Sequence, residues 1–332
     1  MLRILHGTKY DFIRLWKVTT GVTLAFIVPG LILIAARGFN YSIEFTGGTL
    51  MQVQFASPPN VSDLRSTLDH AGIHGAEIAQ FGTARDFVIR AQNREEVARQ
   101  SRGAESVAGA ISKALTAHYG AGKFTVVRTE AVGPKVGGEL RQKALYAILV
   151  SFLVTLIYLA WRFEWRFGVA AVIATAHDIL TTLAFIKYLN LEISLVVVGG
   201  ILTMIGYSLN DTIIIFDRVR ENLRKKRKES LYDTLNRSVN ETLPRSILTH
   251  ATTMATLLAL TFLGGEVIRP FALVMLFGVF TGTFSSIYVA SPILLYIETR
   301  WPRPVGDRGG VGPRSAKQGA ARKTEPAVPA TR

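Results

Sequence analysis

The chain has 332 residues, of which 49% are hydrophobic, and it carries a formal net charge of +14. This combination is unusual for a soluble domain and typical of a membrane protein with basic cytoplasmic loops. The basic residues cluster beside apolar runs, which favours a lipid bilayer rather than nucleic acid as their counterpart. The absence of cysteine excludes disulfides and thiolate metal sites, and the sequence contains no zinc-protease, phosphate-loop or serine-hydrolase motif, so we expect neither a metal nor a cofactor.

The first element is a membrane anchor. Residues 1–17 are short, polar and basic, and residues 18–36 form an apolar run of about 19 residues, long enough to cross a bilayer. The run is longer than the apolar region of a secretory signal peptide, which favours a retained first transmembrane helix.

Residues 37–139 contain no spanning run and predict a small α+β domain. Two helices, capped by Asn60 and Asn93, alternate with four strand-like segments. The order β-α-β-β-α-β predicts a ferredoxin-like fold. Glycines at its end, namely Gly133, Gly137 and Gly138, predict a hinge-like linker into the membrane.

Residues 140–298 predict transmembrane helices 2–6. Helices 2 and 3 are separated by only Arg162–Arg166, which requires an antiparallel hairpin. Between helices 4 and 5, residues 218–243 predict a basic loop, with Pro244 starting helix 5. The basic run in that loop fits a cytoplasmic amphipathic helix on anionic lipid better than a specific docking surface for a partner. Residues 299–332 are rich in Pro, Gly, Ala and basic residues, which predicts a disordered tail.

The fourth apolar run contains a polar interruption, which makes it the main functional candidate. Asp211 shares one helical stripe with Gly200, Met204 and Tyr207, and Asn210 precedes it. A carboxylate in hydrocarbon is costly and usually faces a bundle interior or water. The alternative is a buried helix–helix hydrogen bond without a transport role.

A second carboxylate, Asp178, lies near the middle of the third run, on its small-residue side. We interpret it as part of a polar interior, with a simple helix–helix hydrogen bond as the equal alternative. Its neighbour His177 fits packing better than a proton relay.

The fifth helix carries Arg245 near its start, followed on one face by Thr249, Thr252 and Thr256. These hydroxyls fit either a hydrated path or threonines bonded to their own helix.

The distribution of basic residues predicts the topology. The N-terminus, the Arg162–Arg166 turn, residues 218–245 and the tail hold 4, 2, 9 and 8 Lys or Arg residues, against one each in the two opposite segments. By the positive-inside rule, both termini are cytoplasmic and residues 37–139 lie outside. The sequence therefore predicts a polytopic α-helical membrane protein with six transmembrane helices and an extracytoplasmic ferredoxin-like α+β domain between helices 1 and 2.

Several motifs together resemble one family. They are Ile-Glu-Phe-Thr-Gly-Gly at 43–48, Phe-Glu-Trp-Arg-Phe at 163–167, His177-Asp178, Gly-Tyr-Ser-Leu-Asn-Asp-Thr at 206–212 and Phe-Asp-Arg-Val-Arg-Glu-Asn at 216–222. Over residues 10–298 the chain resembles the SecF family, the smaller subunits of the SecD–SecF accessory complex of bacterial protein export. Glu44 departs from the family pattern, which usually has Asp there.

The resemblance implies a subunit of the resistance-nodulation-division superfamily in the bacterial inner membrane. It implies SecD as the partner in a heterodimer, the SecYEG channel and the translocating preprotein as further partners, and YajC and YidC as additional candidates. The implied function is proton-driven assistance to export after the ATP-driven step, without enzymatic chemistry and with the proton as the coupling ion. The family's functional acid and arginine fall on Asp211 and Arg245.

Two other functions compete with this one. A proton-coupled exporter of small apolar or lipid substrates would fit the superfamily, but the outer domain is small for a porter. A scaffold that conducts nothing would fit the helices, but the two buried acids argue against it.

Overall fold

The computed structural model describes residues 8–91, 104–225 and 229–301. The predicted Asn93 cap, the tail beyond Trp301 and the first seven residues lie outside these ranges. Within them, six helical segments are long and apolar enough to cross a membrane, which confirms the predicted fold class.

The chain enters the bundle through helix α1 (Trp16–Arg37), which contains the predicted run 18–36. Gly30 allows α1 to pack closely on the third long helix, because a Cβ at Gly30 would lie 2.4 Å from the Ala184 Cβ. Before α1, the backbone amide of Tyr10 donates to Asn240, and Asn240 donates back to the Tyr10 carbonyl.

A short helix, α2 (Ile43–Thr46), follows and leads into the Gly-Gly pair of the motif. Gly47 has φ 74° and Gly48 has φ 138°, a region that favours glycine because it has no Cβ. The two glycines let the chain turn directly from α2 into the first strand.

The outer domain has the predicted β-α-β-β-α-β order. Its elements in the described residues are β1 (Gly48–Phe55), α3 (Val61–His70), β2 (Glu77–Gln80), β3 (Asp86–Ala91), α4 (Ala104–Tyr119) and β4 (Phe124–Val132). The four strands pair antiparallel in the order β2-β3-β1-β4, which is the ferredoxin-like arrangement. Alternate β1 residues, Met51, Val53 and Phe55, are buried in the domain core.

The remaining helices form the bundle. They are α5 (Pro134–Arg162), α6 (Trp165–Tyr188), α7 (Leu195–Lys225), α8 (Leu231–Leu263), α9 (Gly265–Ser285) and α10 (Ser291–Arg300), with a π-helical turn at Ser286–Ala290 joining the last two. Helix α7 packs against α6, α8 and α9 at the centre of the bundle. Gly278 and Gly282 of α9 allow this approach, since Cβ atoms there would lie 2.2 Å from Met204 and 3.0 Å from Ser208.

The structure corrects the prediction for residues 218–243. Helix α7 continues to Lys225, and α8 begins at Leu231, where the Ser230 side chain accepts from the Asp233 backbone amide at 3.1 Å. Pro244 lies inside α8 instead of starting it. The Arg218–Glu241 ion pair joins the two extended helices, and Arg237 pairs with Glu241 within α8, so the described part of the polar segment is mostly helical.

Candidate functional site

Asp211 lies in the bundle interior with 3% of its surface exposed. Helix α7 brings it there because the stripe on which it lies faces neighbouring helices. At one end of that stripe, Gly200 packs against Phe271 of α9, and Met204 is fully buried. The structure therefore buries the carboxylate among protein atoms instead of exposing it to lipid.

The nearest charged partner of Asp211 is His250 on α8. The His250 Nδ1 atom lies 3.4 Å from Asp211 Oδ2, and both side chains are less than a tenth exposed. The His250 ring also contacts Tyr207 edge-on, with ring centroids 5.5 Å apart, and the Tyr207 hydroxyl donates to Thr253 at 2.9 Å. Asp211, His250 and Tyr207 thus form one polar group between α7 and α8.

Arg245 lies close enough to act on the Asp211 charge but makes no ion pair within the described residues. Its side chain is exposed at the bundle surface. Ser246, the next residue, is buried and turned toward Asp211. Of the two basic side chains near the carboxylate, the histidine and not the arginine is therefore within ion-pair distance.

Asp178 is completely buried and accepts hydrogen bonds from two helices. Ser208 of α7 and Ser285 of α9 both donate to its Oδ2 atom, the latter at 2.7 Å. His177 Nδ1 lies 3.0 Å from Oδ1. This arrangement ties α6, α7 and α9 together, as the hydrogen-bond interpretation expected.

A second hydroxyl contact lies one turn further along α7. Thr212 and Ser286 are 2.7 Å apart and both buried. Ser286 opens the π-helical turn, a local geometry that often occurs at functional sites in helices. The polar contacts of α7 therefore extend from Ser208 to Thr212 on the side that faces α9.

The other predicted side chains lie on the surface of the bundle. Asn210 is exposed on α7, while Thr249, Thr252 and Thr256 each donate to a carbonyl of α8 itself. The self-bonded interpretation of these threonines describes the observed contacts.

The predicted hinge glycines lie at the start of α5. Gly133 precedes the helix, and Gly137 and Gly138 lie inside it. A Cβ at Gly137 would lie 2.8 Å from the Gly47 backbone nitrogen, so this glycine serves a close contact. The segment is thus helical where a linker was predicted, and a hinge role for these residues stays a prediction.

His250 and Ser246 were missed by the sequence analysis, which followed the threonine stripe of α8. The buried stripe is a different one, with Leu243, Ser246, His250 and Leu257 at spacings of 3, 4 and 7. A histidine within the apolar part of that stripe was the available signal.

Comparison with known proteins gives consistent matches. The family described as protein export membrane protein SecD/SecF, C-terminal, matches residues 111–300, and the SecD/SecF GG motif matches residues 32–59. The protein translocase subunit SecF of Gemmatimonas aurantiaca is 63% identical, covering 91% of each chain. That of Escherichia coli O157:H7 is 37% identical, covering 87% of this chain and 88% of the relative.

This chain belongs to the SecF family. It is accordingly a multi-pass membrane protein and an accessory subunit of the Sec protein translocase, a transport component. The crystal structure of SecDF from Thermus thermophilus, described as a translocon-associated membrane protein, matches with a TM-score of 0.78 at 36% identity. That match covers 90% of this chain and 40% of the SecDF chain. A second structure, SecDF in a super-membrane-facing form, matches with a TM-score of 0.65.

Proposed function

We propose that this SecF-family chain, in a complex with SecD, uses the proton gradient across the bacterial inner membrane to assist the export of unfolded proteins after the ATP-driven step. The observation that carries the proposal is the burial of Asp211 in an apolar helix with an imidazole 3.4 Å away. A buried acid beside a buried base is a group that can hold and release a proton within the membrane. The proton is the coupling ion, no cofactor takes part, and the chain acts without enzymatic chemistry.

The energetic scale supports this role. One proton crossing the membrane delivers about 2.3 kcal/mol per 100 mV. Allosteric coupling energies between two sites are typically about 1–3 kcal/mol. One or a few protons per cycle are therefore enough to bias the bundle between two arrangements.

Each protonation state of Asp211 favours different neighbours. The ionised carboxylate attracts His250 and Arg245, since an unpaired charge at this depth is costly. The protonated acid loses that attraction and leaves both groups free to move. Helices α7 and α8, which carry these residues, are the elements that proton binding would move relative to each other.

SecD is the proposed partner, and the outward face of α7 supports a place for it. Within residues 203–210, the exposed positions are small or polar, at Thr203, Gly206 and Asn210. Small and polar residues are typical of helix–helix contacts in membranes. By contrast, α5 exposes large apolar side chains such as Leu149 and Ile157, which suit lipid. This contrast favours α7, next to Asp211, as the partner side.

The remaining partners and the orientation rest on the family resemblance and on the charge distribution. SecYEG and the translocating preprotein are proposed as further partners, with YajC and YidC as additional candidates. Both termini are proposed to be cytoplasmic and residues 37–139 extracytoplasmic. A cysteine at Ser66, exposed on α3, is then expected to react with an impermeant thiol reagent from outside, whereas a cysteine at Arg224 is not.

The decisive experiment measures export into membrane vesicles with and without a proton gradient. Asp211→Asn keeps the size and hydrogen-bonding capacity of the side chain but removes its titration, so it should abolish the stimulation by the gradient. Assembly with SecD should persist, because a neutral side chain costs less to bury than a charged one. Asp69→Asn, on the surface of the outer domain, is the matched control and should retain full stimulation. Full stimulation in Asp211→Asn would contradict the proposal.

A further inference from the structure

His250 is the one buried base that faces Asp211 among the described residues, and neither the sequence motifs nor the resemblance gave it a role. It lies on α8, on the buried stripe of that helix, with 7% of its surface exposed. Its Nδ1 atom points toward the carboxylate of Asp211, 3.4 Å from Oδ2.

The contact between these two side chains is incomplete. Among the described residues, His250 Nδ1 is a buried atom that makes no hydrogen bond within the usual distance and angle limits. The 3.4 Å separation is within ion-pair range, but the pair does not form a hydrogen bond. Buried polar atoms are almost always bonded in native proteins, so the Asp211 carboxylate, 3.4 Å away, is the partner that we expect His250 Nδ1 to use.

The surroundings limit which groups can share a proton here. The titratable and charged groups that meet at the site within the described chain are Asp211 and Tyr207 from α7 and His250 and Arg245 from α8. Tyrosine and arginine have ordinary pKa values of about 10 and above 12, far from neutrality. Histidine alone has an ordinary pKa, about 6.5, in the range where cells work.

We propose that His250 is the second proton-binding group of the coupling site and that it exchanges a proton directly with Asp211. In this step the Nδ1–H bond of the imidazolium breaks and an O–H bond forms on Oδ2. The products are a neutral imidazole and a neutral acid, so the step conserves atoms and charge and needs no other reactant. This inference rests on the proposed function, since it refines how Asp211 is loaded and unloaded.

The proton can then lie on either of two side chains, His250 or Asp211, whereas Asp211 alone would offer it one position. When the proton lies on His250, the imidazolium and the carboxylate attract each other and hold α7 against α8. When the proton lies on Asp211, both partners are neutral and the attraction is lost. His250 would therefore set the pH range over which the gradient drives export.

The first test is the pH profile of gradient-stimulated export in vesicles containing the complex with SecD. His250→Asn places an amide near the Nδ1 position and cannot titrate. We expect the pH profile of stimulation to differ between the wild type and the variant, because the variant has no titrating imidazole beside Asp211. His118→Asn, an exposed histidine on α4, is the matched control and should keep the wild-type profile.

The second test reads the coupling directly and does not depend on the activity of a histidine variant. Imidazole ¹⁵N signals are recorded in the reconstituted complex against pH, and the His250 signal is assigned by its absence in His250→Asn. Replacing the facing carboxylate in Asp211→Asn should change the pH dependence of the His250 signal, because an imidazolium at this position loses its opposite charge. The His118 midpoint should stay in place.

The outcomes separate this inference from the proposed function. An unchanged pH profile in His250→Asn, or an unchanged His250 midpoint in Asp211→Asn, would overturn the pairing even if Asp211→Asn abolishes stimulation. If Asp211→Asn retains stimulation, the proposed function fails whatever the histidine does. Should His250→Asn fail to assemble with SecD, His250→Gln provides the same comparison with a longer amide side chain.

Discussion

Glu192, in the turn between α6 and α7, is the residue that links the outer domain to the bundle by charge. It forms an ion pair with Arg90 of β3, and both side chains are about three-quarters buried. The next residue, Ile193, exchanges backbone hydrogen bonds with the segment before α2, donating to Asn40 and accepting from Ser42. Charge and backbone contacts thus hold the domain against the membrane bundle at the same place.

Burial of Glu192 makes this docking pH-dependent. Desolvation raises the pKa of Glu192 above its ordinary value of 4.5, and the nearby Arg90 opposes this shift without cancelling it. The docked state therefore binds a proton more tightly than the separated state. Docking should be strongest below about pH 4.5 and should weaken as the pH rises through the raised pKa.

Hydrogen exchange of the Ile193 and Ser42 amides, corrected for intrinsic rates, measures this effect. Protection should decline as the pH rises above the ordinary glutamate pKa of 4.5 and through the raised pKa of Glu192, and Glu192→Gln should remove the decline. Glu77→Gln is the control, because Glu77 also lies near Arg90, at 3.6 Å, but is 68% exposed. A decline that persists in Glu192→Gln would show that another group titrates.

For single residues, the sequence predicted which side chains are functional candidates better than it predicted which side chains contact them. Asp211 and Asp178 could be singled out because a carboxylate in an apolar run is rare and costly. Their burial agrees with that argument, while their roles stay predictions. The partner His250 was missed despite the signal of a histidine in an apolar stripe, because packing against α7 and α9 decides which face of α8 is buried. Arg245 and the threonine stripe face outward as a result.

At the scale of elements, the start of α5 shows how a glycine pair can be misinterpreted. Gly137 and Gly138 suggested a flexible linker, but Pro134 begins a helix and both glycines continue it. Position 137 requires a glycine, because a Cβ there would lie within 3.2 Å of the backbone of Phe45 and Gly47. Local sequence could not reveal that contact, because its two sides are about 90 residues apart in the chain.

Two alanine substitutions distinguish packing from flexibility at this position. Gly137→Ala should lower the free energy of unfolding by about 1–3 kcal/mol, because the added methyl group collides with backbone. Gly138→Ala meets no described atom within 4 Å and should be neutral or stabilising by up to about 1 kcal/mol. Denaturant unfolding of the purified complex measures both, and export measures function. A hinge role predicts instead that Gly138→Ala also impairs export.

The segment after α7 is a second place where local sequence signals suggested less helix than the structure contains. Nine basic residues between 218 and 245 suggested a loop, and Pro244 suggested a helix start. The Arg218–Glu241 ion pair joins the two extended helices and offsets part of the charge there, and α8 accommodates Pro244 in its interior. Long-range pairs of this kind override local propensity.

At the scale of the whole molecule, the fold class was predictable because each of its signals is periodic and long. A prediction based on six apolar runs and a β-α-β-β-α-β order stays correct when an element boundary is misplaced by a few residues. What the sequence did not show is which side of the bundle lacks a partner. The structure places small and polar residues outward on α7 and large apolar ones outward on α5.

This asymmetry predicts a difference between two tryptophan substitutions. Gly206→Trp adds bulk on the outward face of α7, where a Cβ contacts no described atom within 4 Å. The chain should fold, but recovery of co-purified SecD should fall by roughly tenfold or more, which corresponds to about 1.4 kcal/mol. Leu149→Trp on α5, 55% exposed, should leave recovery unchanged. Equal recovery for the two variants would place the partner elsewhere.

Whether Asp211 carries protons through the membrane can be measured as proton entry into sealed vesicles. Vesicles with the complex of this chain and SecD, a pH-sensitive dye inside and a translocating protein engaged, are subjected to an imposed proton gradient. The wild-type complex should acidify the interior faster than protein-free vesicles, and Asp211→Asn should fall to the protein-free rate. Acidification by Asp211→Asn at the wild-type rate would contradict the account.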